Sequence, residues 1–176
     1  MSQNVYENII KILKDGNYNY EEINHNEVKT TEESKEERKK AGWIDGVGSK
    51  NIVFHAKGKF YLVVTTADRE IKAKKFKKEF GTKDIRFAYE DELFLNTGCK
   101  IGAVTPFGHE NKEIPIYVDD KILESNWFMF NPAIHTKSIR IKGSDLFDIY
   151  SKIGNSVKSF IEEEEEGFIF KEVKKR

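Results

Sequence analysis

"NIVFHAKGKFYLVVTTA", residues 51–67, decides the fold class. Two runs rich in β-branched and aromatic residues flank Lys57-Gly58-Lys59, and a glycine-bearing break between such runs predicts a β-hairpin. Immediately upstream, "WIDGVGSK" (43–50) is a glycine-punctuated loop, so Lys50 stands where a loop becomes a strand. Further upstream, Thr30 followed by Glu33 matches a capping box, and "TEESKEERKKAG" predicts a very polar helix ending near Gly42. Val5, Ile9, Ile10, Ile12 and Leu13 recur at helical spacing before Gly16, which predicts an amphipathic helix over 4–15. "YNYEEIN" (18–24) can form a short strand.

Downstream of the hairpin, residues 69–80 are expected to be helical, with Ile71, Ala73, Phe76 and Phe80 among many lysines. "IRFAY" (85–89) reads as a strand and "EDELFLN" (90–96) as a short helix. Three more strands are expected at "EIPIYVD" (113–119), "NWFMF" (126–130) and "KSIRIKG" (137–143), with Ser144 placed to cap a helix "DLFDIYSKIG". Strands in succession with helices inserted unevenly predict an α+β fold with a mixed sheet, curled toward a barrel, and disfavour a doubly wound parallel sheet. Residues 1–154, including the N-terminal helix, read as one domain. Residues 155–176 read as a charged C-terminal extension with five consecutive glutamates, 162–166, and a basic end.

The 30 basic and 30 acidic side chains cancel, so no overall field draws the chain to a polyanion, and any such partner is held by a local patch. One cysteine, Cys99, excludes an internal disulfide framework and a multi-cysteine metal site. No apolar run approaches the ~18 residues of a membrane span, and "MSQNVYENIIKILKDG" lacks a signal peptide's layout. The expectation is a soluble cytoplasmic protein with no membrane partner. His25, His55, His109 and His135 show no metal-site spacing, which disfavours a metal hydrolase. There is no G-x-S-x-G elbow, and Cys99 has no histidine partner in sequence. "GVGSK" lacks the Walker A spacing and precedes a strand, which argues against a nucleotide triphosphatase.

Three features could carry chemistry. "TGCKIGAVTPFGHE" (97–110) sets Gly98, Gly102 and Gly108 around Pro106, either as a bend or as a loop whose N–H groups converge on a ligand. Aimed at a developing oxyanion, one such donor is worth roughly 2.7–4 kcal/mol of barrier. Lys50 is either a solvated strand-end lysine or a cation directed into a cleft. Lys72, Lys74, Lys75, Lys77 and Lys78 form either a solvated helix face or a phosphate-contacting surface for RNA.

Taken in order, "TTEES…AG", "SKNIVFHAKGKFYLVVTTAD", "TGCKIGAVTPFG" and "FNPAIHTKSIRIKGSDL" resemble the YbaK / prolyl-tRNA-synthetase-associated editing domain family. The likeness is greatest to its freestanding members of the ProX or PrdX type. The resemblance implies a closed or nearly closed mixed β-barrel flanked by helices, and hydrolysis of the ester between an amino acid and the terminal adenosine of tRNA. It implies that Lys50 is the key lysine orienting the aminoacyl-adenosine end. It further implies that Gly102, Ala103, Val104, Thr105 and Pro106, extended by Phe107 and Gly108, form the loop whose backbone positions ester and water. No metal or organic cofactor is implied. The implied partner is the acceptor end of an aminoacylated tRNA, with prolyl-tRNA synthetase as a candidate second partner and no DNA.

The chain departs from the family pattern at three positions. His25 is followed by Asn26 rather than proline, Asn131-Pro132 replaces His-Pro, and His135 replaces an expected asparagine. With Thr30, these positions belong to the expected aminoacyl pocket and bear on specificity. Alanine on proline tRNA is the first choice, because a synthetase pocket for proline cannot strongly exclude a smaller side chain. Cysteine, serine and threonine stay open, as does a non-catalytic module that binds tRNA or protein.

Overall fold

The computed structural model describes residues 2–163 and 167–173. Its centre is the expected hairpin: β2 (Val47–Ala56) and β3 (Lys59–Thr66) pair antiparallel, from Ser49 opposite Thr66 to Ala56 opposite Lys59. Only Lys57 and Gly58 are left to turn the chain, and both have positive φ, 51° and 73°, as the mirror-image two-residue turn requires.

The remaining strands are β1 (Tyr20–Asn24), β4 (Ile85–Phe87), β5 (Ile116–Asp119), β6 (Phe128–Phe130), β7 (Lys137–Ile141), β8 (Val157–Glu163) and β9 (Gly167–Glu172). They join the hairpin in one mixed sheet of order β1-β7-β6-β2-β3-β5-β8-β9. Pairs β2/β6, β3/β5 and β5/β8 are parallel, and the others are antiparallel. Strand β2 serves three neighbours: β3 along one edge, β6 at Val47–Gly48 and β4 at Phe54–Ala56 along the other. Helices α1 (Ser2–Asp15), α2 (Thr31–Lys40), α3 (Lys77–Phe80), α4 (Glu90–Thr97), α5 (Asp120–Leu123) and α6 (Gly143–Lys152) flank the sheet. The expected α+β class with a mixed sheet and flanking helices is what the chain adopts.

Alternation along the strands sorts side chains onto two faces. Val53, Leu62, Val64, Ile116 and Val118 face the main core, with Val5, Ile9 and Leu13 of α1 and Leu146, Ile149 and Tyr150 of α6. Phe54, Val63 and Tyr117 face the other way, into an aromatic cluster with Phe76, Phe80 and Phe160. Phe76 is its hub, 5.1 Å from Phe80, 5.7 Å from Phe160 and 5.2 Å from Phe168 between ring centroids. Aromatic pairs at such spacing contribute about 0.5–1.5 kcal/mol beyond burial.

Three expectations are corrected and one element is added. The helix expected over 69–80 begins only at a 3-10 turn, Ala73–Phe76, before α3, and residues 67–72 are irregular. Helix α6 starts at Gly143 with Lys142 as its cap, so Ser144 lies inside the first turn. Helix α5, capped by Asp119 through its bond from the Lys121 N–H (3.1 Å), is an addition. The C-terminal extension is no appendage, since it supplies β8 and β9, and Phe160 is fully buried. A boundary at 154 therefore cuts through one continuous sheet. Glu164–Glu166 of the glutamate run and the basic end, Lys174–Arg176, lie outside the described residues. Among the described residues no helix is long and apolar enough to cross a membrane.

Candidate functional site

The polar sequence of α2 follows from its place on the sheet. Thr30 caps it, accepting the Glu33 N–H at 3.1 Å as the capping-box spacing predicts, while Glu33 Oε1 accepts from the Thr30 hydroxyl at 3.2 Å rather than from its backbone N–H. Buried Ser34 and Arg38 face inward, and the other side chains of the helix are solvated to varying degrees. Between α2, the start of β2 and the end of β3 lies a pocket of about 310 Å³, whose walls include Thr31, Lys35, Arg38, Gly48, Thr66 and Asp68. That volume is at the lower end of small-molecule sites.

Lys50 does not itself line this pocket but adjoins it along β2. It is two residues from Gly48 on the same face of β2, and its ammonium donates to the backbone carbonyl of Arg69 at 3.2 Å, one residue beyond Asp68. Arg69 is fixed in turn by buried Asp119, which also accepts the Thr65 hydroxyl, each at 2.8 Å. No carboxylate among the described residues pairs with Lys50, so its remaining N–H groups are uncommitted.

The Gly102–Pro106 loop is approached from the other side of β2. Asn51, the neighbour of Lys50 and therefore on the opposite face, donates from Nδ2 to the Val104 carbonyl at 2.8 Å and to Ser49 Oγ at 3.2 Å. Its Oδ1 is buried without a hydrogen-bond partner. Gly102 has φ +82°, and a Cβ there would stand 2.9 Å from the Lys29 carbonyl oxygen. The position must be glycine because another segment of the chain packs on it, and that segment enters α2 two residues later at Thr31. His135 fastens the same corner through Nε2 to the Ile101 carbonyl at 2.8 Å. The Ala103 N–H is taken by the Lys100 carbonyl at 3.0 Å, whereas those of Gly102 and Val104 have no partner among the described residues.

Several expected site residues are placed differently. Ala103, Thr105, Pro106, Phe107 and Gly108 are buried, so these positions pack into the protein and anchor the loop. Tyr150 OH donates to the Pro106 carbonyl at 2.7 Å, Phe107 packs on Phe130, and Gly108 lies under Ile9 of α1. Thr30 spends its hydroxyl on the helix cap. His25 and Asn131 are spent on a polar network beneath α2: His25 Nε2 meets Ser138 Oγ at 2.9 Å, and Arg38 donates to Ser138 Oγ (3.0 Å) and Asn131 Oδ1 (3.2 Å). Cys99 is fully buried, and burial pushes its thiol up, away from nucleophilic use.

Lys72, Lys74, Lys77 and Lys78 are exposed and Lys75 is half-buried, and none pairs with a carboxylate among the described residues. Their segment packs through Phe76 over Phe54, on the same face of β2 as Lys50. Sequence reasoning missed Arg38, which sits in a charge run that reads as solvated, and Asn51, whose signal was only its place next to Lys50. Among the described residues no cluster of three or more His, Cys, Asp or Glu side chains could hold a metal ion.

The architecture has known counterparts. A solved structure described as a candidate trans-editing enzyme for prolyl-tRNA synthetase superposes with a TM-score of 0.69 at 21% identity, covering 87% of this chain and 94% of that one, a likeness of fold alone. The chain is 28% identical over 163 residues to the prolyl-tRNA editing protein ProX of Acetoanaerobium sticklandii, covering 90% of this chain and 98% of that protein. It is also 36% identical over 78 residues to the proline–tRNA ligase of Staphylococcus saprophyticus, 44% of this chain but 13% of that much longer enzyme. Residues 25–149, which include α2, Lys50, the Gly102–Pro106 loop and Asn131, match the model of the aminoacyl-tRNA editing domain, and the chain belongs to that family.

Proposed function

We propose that the protein is a deacylase of mischarged tRNA acting in trans, with alanine on proline tRNA as its main substrate. The observation that carries this reading is Lys50: an ammonium two residues along β2 from the pocket-lining Gly48, steadied by a backbone carbonyl and without a carboxylate partner among the described residues. Its open N–H groups can hold an oxygen of the aminoacyl-adenosine end. The N–H groups of Gly102 and Val104 have no partner among the described residues; their loop is bonded to Asn51 on the opposite face of β2, so they can orient water or an oxyanion for an ester that reaches around the sheet edge from Lys50.

An aminoacyl ester is already activated, so positioning and electrostatics suffice without a strong side-chain base. Water adds to the ester carbonyl, giving a tetrahedral oxyanion. Collapse of that intermediate breaks the bond to the ribose oxygen, which takes up the proton released by the water, directly or through its neighbouring ribose hydroxyl. Free amino acid and intact tRNA leave. The lysines of segment 72–78, without carboxylate partners among the described residues, lie on the sheet face that carries Lys50, where they can meet the phosphates of an incoming acceptor stem.

Incubation with alanyl-, seryl- and cysteinyl-tRNA(Pro) tests the proposal, with alanyl ester expected to be cleaved fastest. No hydrolysis above buffer for any of them would sink it. Lys50→Ala should keep the fold, since its side chain makes one hydrogen bond, while losing on the order of 10²-fold or more in kcat/KM, as for removal of one transition-state donor. A folded variant with full activity refutes the role of Lys50.

A further inference from the structure

Arg38 is 4% exposed and has no carboxylate partner among the described residues. Its bonds go to neutral oxygens, from Nε to Ser138 Oγ and from Nη2 to Asn131 Oδ1. Those oxygens are themselves held in place: Asn131 Nδ2 donates to the Lys137 carbonyl at 2.8 Å, Ser34 Oγ donates to Asn131 Oδ1 at 3.3 Å, and His25 meets Ser138. Burial pulls the guanidinium down to about 10, which still leaves it charged at neutral pH. A buried cation costs free energy unless it is paired, so one held in a fixed cradle without a counter-charge is a receptor awaiting an anion.

The free end of the guanidinium points to the same conclusion. Nη1 has no hydrogen-bond partner among the described residues and faces Gly48, where a Cβ would lie 3.1 Å away. Arg38 and Gly48 both line the 310 Å³ pocket, together with Lys35 and Lys39 from the same helix. Two carboxylates are present there. Asp68 is held in its charged form by the Thr66 side chain and by Lys121 and Lys35, and Glu32 stands on the first turn of α2. The lining also includes the apolar residues Trp43, Ile44, Val47 and Met129. A lining that combines cations with apolar and aromatic side chains suits a nucleotide, whose phosphate and base call for these two kinds of contact.

We infer that this pocket is a nucleotide-phosphate site in which Arg38 Nη1, supported by Lys35, receives the 5′-phosphate of the terminal adenosine of tRNA. The inference rests on the proposed deacylase reading for the identity of the nucleic acid. It adds a phosphate receptor that is separate from Lys50, on the far side of Gly48.

Titration of the full chain with adenosine 5′-monophosphate, followed by tryptophan fluorescence because Trp43 lines the pocket, tests this directly. Adenosine 5′-monophosphate should bind at least tenfold more tightly than adenosine, and inorganic phosphate should displace it whereas acetate at equal concentration should not. Arg38→Gln should weaken binding by tenfold or more. Gly48→Ala, which keeps the charge but crowds Nη1, should weaken it in parallel and decides the matter if Arg38→Gln fails to fold. Equal binding of nucleotide and nucleoside, displacement by acetate, or unchanged affinity in folded Arg38→Gln overturns the inference. Nucleotide binding through Arg38 without ester hydrolysis would overturn only the deacylase reading, and hydrolysis with Arg38-independent nucleotide binding only this one.

Discussion

Acidification from pH 7 to pH 5 should cost this fold about 2 kcal/mol through His109 alone. The residue is 1% exposed, and neither ring nitrogen has a hydrogen-bond partner among the described residues. Burial, and secondarily the Lys112 ammonium that donates to the His109 carbonyl at 2.8 Å, push its pKa down to about 4. The Thr105 backbone favours the proton without reaching hydrogen-bonding geometry with either nitrogen. In the unfolded chain His109 takes a proton near pH 6.5; in the folded chain it stays neutral until about pH 4. The unfolded state therefore binds more protons between those values, and stability present above pH 6.5 is lost as pH falls toward 4. The full difference of about 2.5 units is worth about 3.4 kcal/mol, of which about 2 are lost by pH 5. Urea melts of wild type and His109→Leu at pH 7 and pH 5 isolate the effect, because other titrating groups cancel in the difference. The variant should gain about 2 kcal/mol on wild type as pH falls to 5. A wild-type-minus-variant difference that is equal at both pH values would refute the argument that His109 is held neutral by burial.

Two further substitutions probe the loop. Gly102→Ala meets both an unfavourable φ of +82° and the Lys29 carbonyl oxygen at 2.9 Å, so it should cost at least about 1–2 kcal/mol in urea melts and lower deacylation; wild-type stability contradicts the packing described. Tyr150→Phe strips the Pro106 carbonyl of its 2.7 Å donor in a buried site and should cost about 1–3 kcal/mol, and a neutral result shows that the carbonyl finds another partner.

The hairpin was legible because two local signals agree there, strand-type residues and a Lys-Gly break that tolerates positive φ. Helix α2 was legible from its capping box, yet the role of Arg38 was not. Nothing within "TEESKEERKK" distinguishes the residue that meets Ser138, 100 positions away, from its solvated neighbours. The extension misled for a related reason. Its glutamates dominate the composition, whereas Phe160, Phe168 and Phe170 decide its place by completing the aromatic cluster around Phe76. The glycine loop was half legible: its glycines and proline announced a constrained backbone, but burial of residues 105–109 shows that half of the constraint serves the core.

Lys50 and Asn51 explain why neighbouring residues in one strand must be judged by face. A strand turns successive side chains to opposite sides, so these two polar residues cannot serve one cavity directly. Lys50 belongs with Gly48, Arg69 and the pocket under α2, and Asn51 with Val104 and the glycine loop. The link between the two sides runs around the edge of the sheet, where Gly102 packs on Lys29 just before α2 begins, and where His135 ties Ile101 to the chain after β6. That corner transmits position without a side chain entering the pocket, so its tolerance for change is set by van der Waals distance. Loop and pocket therefore both abut the entry to α2, which Arg38 ties to Ser138 and Asn131.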